Sequence, residues 1–140
     1  MSDLYETDFY AWSNQQAALL REGKLAAADI AHIAEEIESM GRSEKRELVS
    51  RLNMLLLHLL KWRYQIERRS RSWEFSIDNS RFAIGQHLAD NPSLKSSLSA
   101  AMMSAYYTAR REAAIETGFA LQTFPQDCPW SFEQAMQAAP

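Results

Sequence analysis

A single apolar stripe constrains the fold of this chain more than any other feature of its sequence. From position 30 to position 62, apolar side chains recur at steps of three and four residues, which places them on one face of an α-helix. The stripe consists of Ile30, Ile33, Ile37, Met40, Leu48, Leu52, Leu55, Leu59 and Trp62, with the polar Glu44 in the same phase. It predicts a helix over residues 29–65, capped by Asp29, that forms the spine of the fold.

This predicted helix is long for the chain that contains it. At 1.5 Å per residue it would extend about 55 Å, which exceeds the diameter of a domain of this size. Gly41 lies inside the stripe, and a glycine in a helix costs about 1 kcal/mol relative to alanine. The phase of the stripe is nevertheless kept across Gly41, which favours one long helix, straight or kinked, over two unrelated helices. We expect either a bend or a helix face that associates with another molecule.

The remaining sequence predicts shorter helices that pack around this spine. The first is predicted over Thr7–Glu22, before Gly23, and the second is capped by Ser70 or Ser72 and ends before Asn91. The third is capped by Asn91, begins at Pro92 and ends before Gly118, and a short last helix follows a capping box of Ser131 and Gln134. The alternation typical of strands never extends beyond four residues. The fold class is therefore all-α: a compact bundle of four to five helices in a single domain of residues 1–140.

The inward faces of these helices predict the hydrophobic core. A chain of this length buries roughly two-thirds of its unfolded surface, so it can fold without a disulfide or a metal. The predicted core side chains are Trp12, Ile33, Ile37, Leu48, Leu52, Leu55, Leu59, Trp62, Trp73, Ile77, Leu98 and Met102. Most of them belong to the spine, around which the other segments wrap.

Charge is unevenly distributed along the chain. The formal net charge is −3, so the chain lacks the strongly basic character that is usual for nucleic-acid-binding proteins. Residues 1–41 carry two basic and eight acidic side chains, whereas residues 42–71 carry nine basic and three acidic ones. These segments either neutralise each other within the fold or leave a basic surface for an anionic partner.

Cysteine usage and hydropathy predict a cytoplasmic protein with no membrane segment. Cys128 is the only cysteine and cannot form an internal disulfide, which fits a reducing compartment. The sequence shows no basic segment followed by an apolar one that would indicate a signal peptide. It also contains no run of about 20 apolar residues, the length that a transmembrane helix requires.

Short blocks of residues spread along the chain resemble one known family. These blocks are Leu4–Trp12, Glu35–Gly41, His58–Trp62, Arg68–Trp73, Phe124–Pro125 and Cys128–Trp130. In this order they resemble the bacterial "domain of unknown function 29" family, and the resemblance covers nearly the whole chain. It implies a compact all-α protein without an established biochemical activity, and it assigns no catalytic residue.

Arg51 and His58 form a candidate catalytic pair. They lie seven residues apart, on the same face of the predicted spine and about two turns from each other. The spacing is similar to the Arg-x4–6-His motif of the HEPN ribonuclease superfamily, in which the pair lies at a dimer interface and cleaves RNA without a metal. An arginine would stabilise phosphate charge, and a histidine would transfer a proton near neutral pH. The apolar Leu52 departs from that superfamily, which often has a polar residue after the arginine.

A structural polar network is the alternative for the same stretch of chain. Glu47 precedes Arg51 by four residues, the spacing of a helical ion pair, and His58 would then bond to a facing helix. Glu35 and Glu36 are candidates for the same network, in which they would pair with basic residues between positions 68 and 71.

The most basic part of the chain is a candidate anion-binding surface. Its cations are Lys61, Arg63, Arg68, Arg69 and Arg71, interleaved with Trp62, Tyr64 and Trp73. Guanidinium groups beside aromatic rings are typical of surfaces that bind phosphate or single-stranded nucleic acid. Alternatively, the tryptophans are core residues and the arginines pair with the acidic first third of the chain.

No metal site or cofactor is expected from the sequence. His32, Glu35 and Glu36 have the spacing of a partial ligand set on one helix. A two-metal bundle site needs Glu-x-x-His on two helices, but the position three before His58 is a leucine and the position three before His87 is an isoleucine.

The sequence therefore predicts a non-catalytic protein-interaction or adaptor domain. A protein partner or a second copy of the chain would pack against an exposed face of the spine. The alternatives are a metal-independent ribonuclease that uses Arg51 and His58, and binding of nucleic acid or another anion through residues 61–71.

Overall fold

Six α-helices and no strand form the described part of the chain, residues 3–137 of a computed structural model, and this confirms the all-α prediction. The helices are α1 (Leu4–Thr7), α2 (Phe9–Arg21), α3 (Ile30–Tyr64), α4 (Arg71–Asp90), α5 (Leu98–Thr117) and α6 (Phe132–Gln137). Short 3₁₀ helices cover Ile66–Arg68, Pro92–Ser97 and Leu121–Thr123. The one-turn helix α1 is absent from the prediction, and the predicted helix from Pro92 begins with a 3₁₀ segment.

Helix α3 is the predicted spine, and it passes through Gly41 without a break over 35 residues. Asp29 caps it as predicted, since its Oδ1 accepts a hydrogen bond from the backbone N–H of His32 at 3.3 Å. A Cβ atom added at Gly41 would have no neighbour within 4 Å. Close packing therefore does not require glycine at this position.

Two compact units divide the chain, residues 1–43 and residues 44–140, and the boundary lies inside α3. The single domain inferred from length stays a prediction. In the first unit, Trp12 and Gln16 of α2 are buried. Gln16 Oε1 accepts a hydrogen bond from the backbone N–H of Asp29 at 2.6 Å, and Trp12 Nε1 donates to Asp29 Oδ2 at 3.2 Å. These bonds connect α2 to the start of α3.

The hydrophobic core lies in the second unit. Helix α3 contributes seven buried leucines, α4 contributes isoleucines and a leucine, and α5 contributes mainly alanines, which leave space for the larger side chains opposite. The core consists of Leu48, Leu52, Leu55, Leu56, Leu57, Leu59, Leu60, Ile77, Ile84, Leu88, Ala101, Met102, Ala105, Tyr106, Ala109, Ala113, Phe124 and Ala135. Burying one large aliphatic side chain contributes about 1.5–3 kcal/mol, so this cluster is the main source of stability.

Caps and specific hydrogen bonds hold the ends of the other helices. Ser70 caps α4 by accepting from the N–H of Trp73, as predicted. Ser131 and Gln134 form the predicted capping box, with reciprocal bonds of 2.9 and 3.1 Å. Asn91 was expected to cap the next helix, but its side chain donates to His87 O at 3.1 Å and closes the end of α4 instead.

The predicted core is wrong at Ile37, and it is only partly buried at several other positions. The side chain of Ile37 is 58% exposed. The half-buried members of the predicted core are Ile33, Trp62, Trp73 and Leu98. The physical reason for the error at Ile37 is that the buried part of the α3 stripe begins only at Leu48.

Candidate functional site

Arg51 borders an open cleft of about 530 Å³ in the second unit. We call it the acidic cleft, and the side chains that matter for its chemistry are Glu44, Glu47, Arg51, His87, Asp90 and Asn91. Arg51 Nη2 donates to Glu47 Oε1 at 3.0 Å, which confirms the predicted ion pair. Both side chains are exposed, and such a helical pair contributes only about 0.3–0.5 kcal/mol.

His58, the other half of the predicted catalytic pair, bonds to its own helix. Its Nδ1 lies 2.8 Å from the backbone carbonyl oxygen of Met54, and the side chain is half-buried. The predicted bond to a facing helix is therefore replaced by one within α3. His58 is not among the residues that border the acidic cleft, so that cleft contains only one member of the pair. Catalysis by Arg51 and His58 stays a prediction.

The first two cations of the predicted anion-binding segment, Lys61 and Arg63, lie over tryptophan rings. Lys61 Nζ is 4.9 Å from the centroid of the Trp73 ring and donates to Glu116 Oε1 at 2.8 Å. The guanidinium of Arg63 lies 5.3 Å from the Trp130 ring. Such stacking stabilises a cation at an exposed site by about 0.5–1 kcal/mol. Lys61 is therefore engaged by an acid and a ring, rather than free to bind an external anion.

The three arginines that follow are more accessible. Arg69 lies 4.9 Å above the Trp62 ring, and its Nε donates to Trp62 O at 2.7 Å. The side chains of Arg68 and Arg71 are exposed and make no hydrogen bond, ion pair or ring contact with residues 3–137. Binding of an anion by this segment stays a prediction, and these two side chains are the ones left available for it.

In the first unit, His32 and Asp29 form a hydrogen-bonded pair. His32 Nδ1 lies 2.7 Å from Asp29 Oδ2, and the His32 ring stacks on Tyr5 with centroids 3.8 Å apart. The hydrogen bond from the His32 ring is the largest of the effects that hold the pKa of Asp29 below its usual value. The backbone N–H of His32 and the indole of Trp12 act in the same direction.

The partial ligand set of His32, Glu35 and Glu36 is divided among different partners. Glu36 Oε2 accepts a hydrogen bond from the Tyr5 hydroxyl at 2.5 Å. This bond, together with loss of solvent and the nearby negative charge, raises the pKa of Tyr5 to about 12. Glu35 Oε1 lies 3.5 Å from Arg42 Nη2, within ion-pair distance. The three side chains therefore form local polar contacts within the first unit.

The first part of α3 carries apolar side chains that remain exposed. We call Ile30, Ile33, Ile37 and Met40 the α3 seam. Ile30, Ile37 and Met40 are 53%, 58% and 62% exposed, and Ile33 is half-buried. The seam continues the spacing of the buried leucines but has no buried member.

The acidic cleft also contains a group of potential metal ligands that sequence reasoning missed. Glu44, Glu47 and His87 each offer one ligand atom, and these atoms lie within 4.8 Å of one another. His87 is only 9% exposed, and its Nε2 lies 2.8 Å from the Glu44 carbonyl oxygen and 3.5 Å from Glu44 Oε2. No local sequence signal connects His87 on α4 with glutamates on α3 that precede it by 40 and 43 positions.

A larger open cleft of about 990 Å³ lies beside α5 and the segment before α6. Cys128 borders it, and its Sγ donates to Trp130 O at 3.3 Å. Burial raises the pKa of the Cys128 thiol, which keeps it in the neutral form that is a poor nucleophile.

Comparison with known proteins identifies a family. A family model described as "Domain of unknown function DUF29" matches residues 4–139. No curated protein and no solved structure matches the chain. Each helix within residues 3–137 is too short or too polar to span a bilayer. Because the family model covers nearly the whole sequence, the chain belongs to the DUF29 family, as its sequence blocks predicted.

Proposed function

We propose that this protein is a non-catalytic interaction domain that binds an amphipathic, basic helix through the α3 seam. The observation that carries the proposal is the exposure of Ile30, Ile37 and Met40 on one helix face. Covering such a face with apolar partner side chains is favourable, at roughly 25 cal/mol per Å² of apolar surface removed from water.

The spacing of the seam supports a helix as the partner. Positions 30, 33, 37 and 40 repeat at steps of three, four and three residues, which is the pattern by which one helix inserts side chains between those of another. The seam extends over about three turns, so a short helical segment would be enough to cover it.

Charge supports a basic partner rather than a second copy of the chain. Residues 1–41 carry a net charge of −6, and Glu35, Glu36 and Glu38 lie among the seam residues along the helix. Pairing two seams would bring two such acidic segments together, whereas Lys and Arg beside the apolar positions of a partner would be attracted. The single unpaired Cys128 fits the cytoplasm as the place of this interaction.

A designed peptide tests the proposal. The probe is a three-heptad helical peptide with leucine at the apolar positions and lysine at the flanking ones, and the control peptide has glutamate at the flanking positions. We expect the lysine peptide to bind the full chain in fluorescence anisotropy, and Ile37→Asp to weaken this binding at least about tenfold. Aspartate increases the negative charge of the surface, so electrostatic attraction alone would strengthen binding.

The matched control is Ile115→Asp, which changes an aliphatic residue on α5 that is 79% exposed. Equal binding by wild type and Ile37→Asp would contradict the proposal. A dimer in sedimentation that Ile37→Asp dissociates would instead make a second copy the occupant and overturn the heterotypic version. Cleavage of RNA in the presence of a chelator, abolished by His58→Ala, would contradict the absence of catalysis and support the ribonuclease alternative.

A further inference from the structure

We propose that the acidic cleft binds one divalent transition-metal ion through Glu44, Glu47 and His87. The site shares no residue with the α3 seam, and its test does not depend on the interaction proposed above. One ligand atom from each residue already lies within 4.8 Å of the other two. The ligands come from two helices, so a bound ion would connect α3 to α4.

The positions of the ligands on their helices explain why they converge. Glu44 and Glu47 are three residues apart on α3, which places both carboxylates on one side of the helix. His87 projects from α4, and its side chain is buried. Its Nε2 faces Glu44, at 2.8 Å from the backbone oxygen and 3.5 Å from Oε2. On binding, the two exposed carboxylates would become ordered, and the His87 ring would turn its Nε2 from the Glu44 carbonyl oxygen towards the ion.

The charge of the cleft favours a cation. Three carboxylates border it, those of Glu44, Glu47 and Asp90, against the single guanidinium of Arg51. That guanidinium bonds to Oε1 of Glu47, so the second carboxylate oxygen of Glu47 is available as a ligand. Asn91 Nδ2 lies 3.5 Å from Glu44 Oε2, close enough to orient this carboxylate.

The mixture of ligands points to zinc or a similar transition metal rather than magnesium. One imidazole nitrogen and two carboxylate oxygens suit Zn²⁺, whereas Mg²⁺ prefers oxygen ligands and retains water. Bonds of about 2.0–2.2 Å to a tetrahedral ion require ligand atoms roughly 3.4 Å apart. Rotation of the exposed glutamates can supply the necessary approach, and the open cleft leaves the fourth position accessible to water.

Binding would change the hydrogen bonding of His87. In the metal-free chain, Nε2 faces the Glu44 carbonyl oxygen, which accepts a hydrogen bond from it. A metal ion needs the lone pair of this nitrogen, so the neutral ring would carry its proton on Nδ1 instead. This difference provides a direct signature of ligation.

Calorimetric titration of the full, chelator-treated chain with ZnCl₂ tests the site. We expect one ion per chain, and at least about tenfold weaker binding in Glu44→Gln and in Glu47→Gln, which remove a charge while keeping the side-chain shape. Glu38→Gln is the matched control, because it changes another exposed glutamate on α3. Both test positions are on the surface, so the variants remain folded whether or not the site exists.

Nitrogen NMR supplies a second readout. The chain has three histidines, and we expect Zn²⁺ to shift the Nε2 signal of His87 while those of His32 and His58 remain in place. Absence of binding, or binding that neither glutamine variant weakens, would overturn the proposal. Equal affinity for Mg²⁺ would do so as well, because it would remove the imidazole from the set of ligands.

Discussion

Helix α3 keeps one apolar spacing along its length, but its two parts have different surroundings. From Leu48 onward it contributes seven buried leucines to the core, whereas Ile30–Glu47 contains no buried residue. Periodicity determines which side chains share a face of a helix, and burial depends on what packs against that face. The same pattern therefore produces a core in one part of the helix and an exposed apolar surface in the other.

The largest expected effect is the difference in stability between a substitution in the buried part of α3 and one in the exposed part. Leu55→Ala should lower the free energy of unfolding by about 2–5 kcal/mol, because it leaves a cavity in a fully buried position. Ile37→Ala should change it by less than about 0.5 kcal/mol, because the side chain is exposed. Urea denaturation of both variants measures the difference. Similar losses in the two would show that the seam belongs to the core.

Replacing two of the glycines with alanine should change the stability of the protein in opposite directions. Gly41→Ala should stabilise the protein by about 0.5–1 kcal/mol, because the residue lies within a helix and has open space around it. Gly118→Ala should destabilise it by about 1–2 kcal/mol, because its φ of +77° is left-handed. Thermal unfolding compares them. A destabilised Gly41→Ala variant would mean that the first part of α3 requires flexibility or close packing at this glycine.

The smallest expected effect concerns the start of α3 and depends on pH. The pKa of Asp29 is held below its usual value, chiefly by the hydrogen bond from His32. The charged carboxylate therefore stabilises the fold above the ordinary pKa of about 3.9, and this contribution disappears as the pH falls through the lower, folded pKa. Asp29→Asn keeps a capping side chain but cannot titrate. Its stability deficit relative to wild type should shrink on acidification. A deficit independent of pH would contradict this account.

The sequence predicted most of the features that depend on nearby residues, and the cap at Asn91 is the exception. The caps at Asp29 and Ser70 and the box of Ser131 and Gln134 involve partners within four positions, and the structure contains all of them. The ion pair of Glu47 with Arg51 is equally local and was also predicted correctly.

Features that depend on distant residues escaped prediction. Ile37 shares the phase of the core leucines, and nothing in its neighbours reveals that it lies exposed. The Glu-x-x-His pattern of bundle metal sites places both ligand types on one helix, and Ile84 occupies the position before His87 where that pattern needs a glutamate. The structure instead brings the imidazole of His87 to carboxylates on another helix, a combination visible only after folding.

The placement of the four tryptophans has a practical consequence for spectroscopy. Trp12 belongs to residues 1–43, whereas Trp62, Trp73 and Trp130 belong to residues 44–140 and have cations over their rings. An unfolding transition followed by indole emission is therefore weighted towards the second unit, with one fluorophore against three. Trp12 alone carries the indole emission of the first unit, and in a chain that lacks this indole the tryptophan signal would report the second unit in isolation.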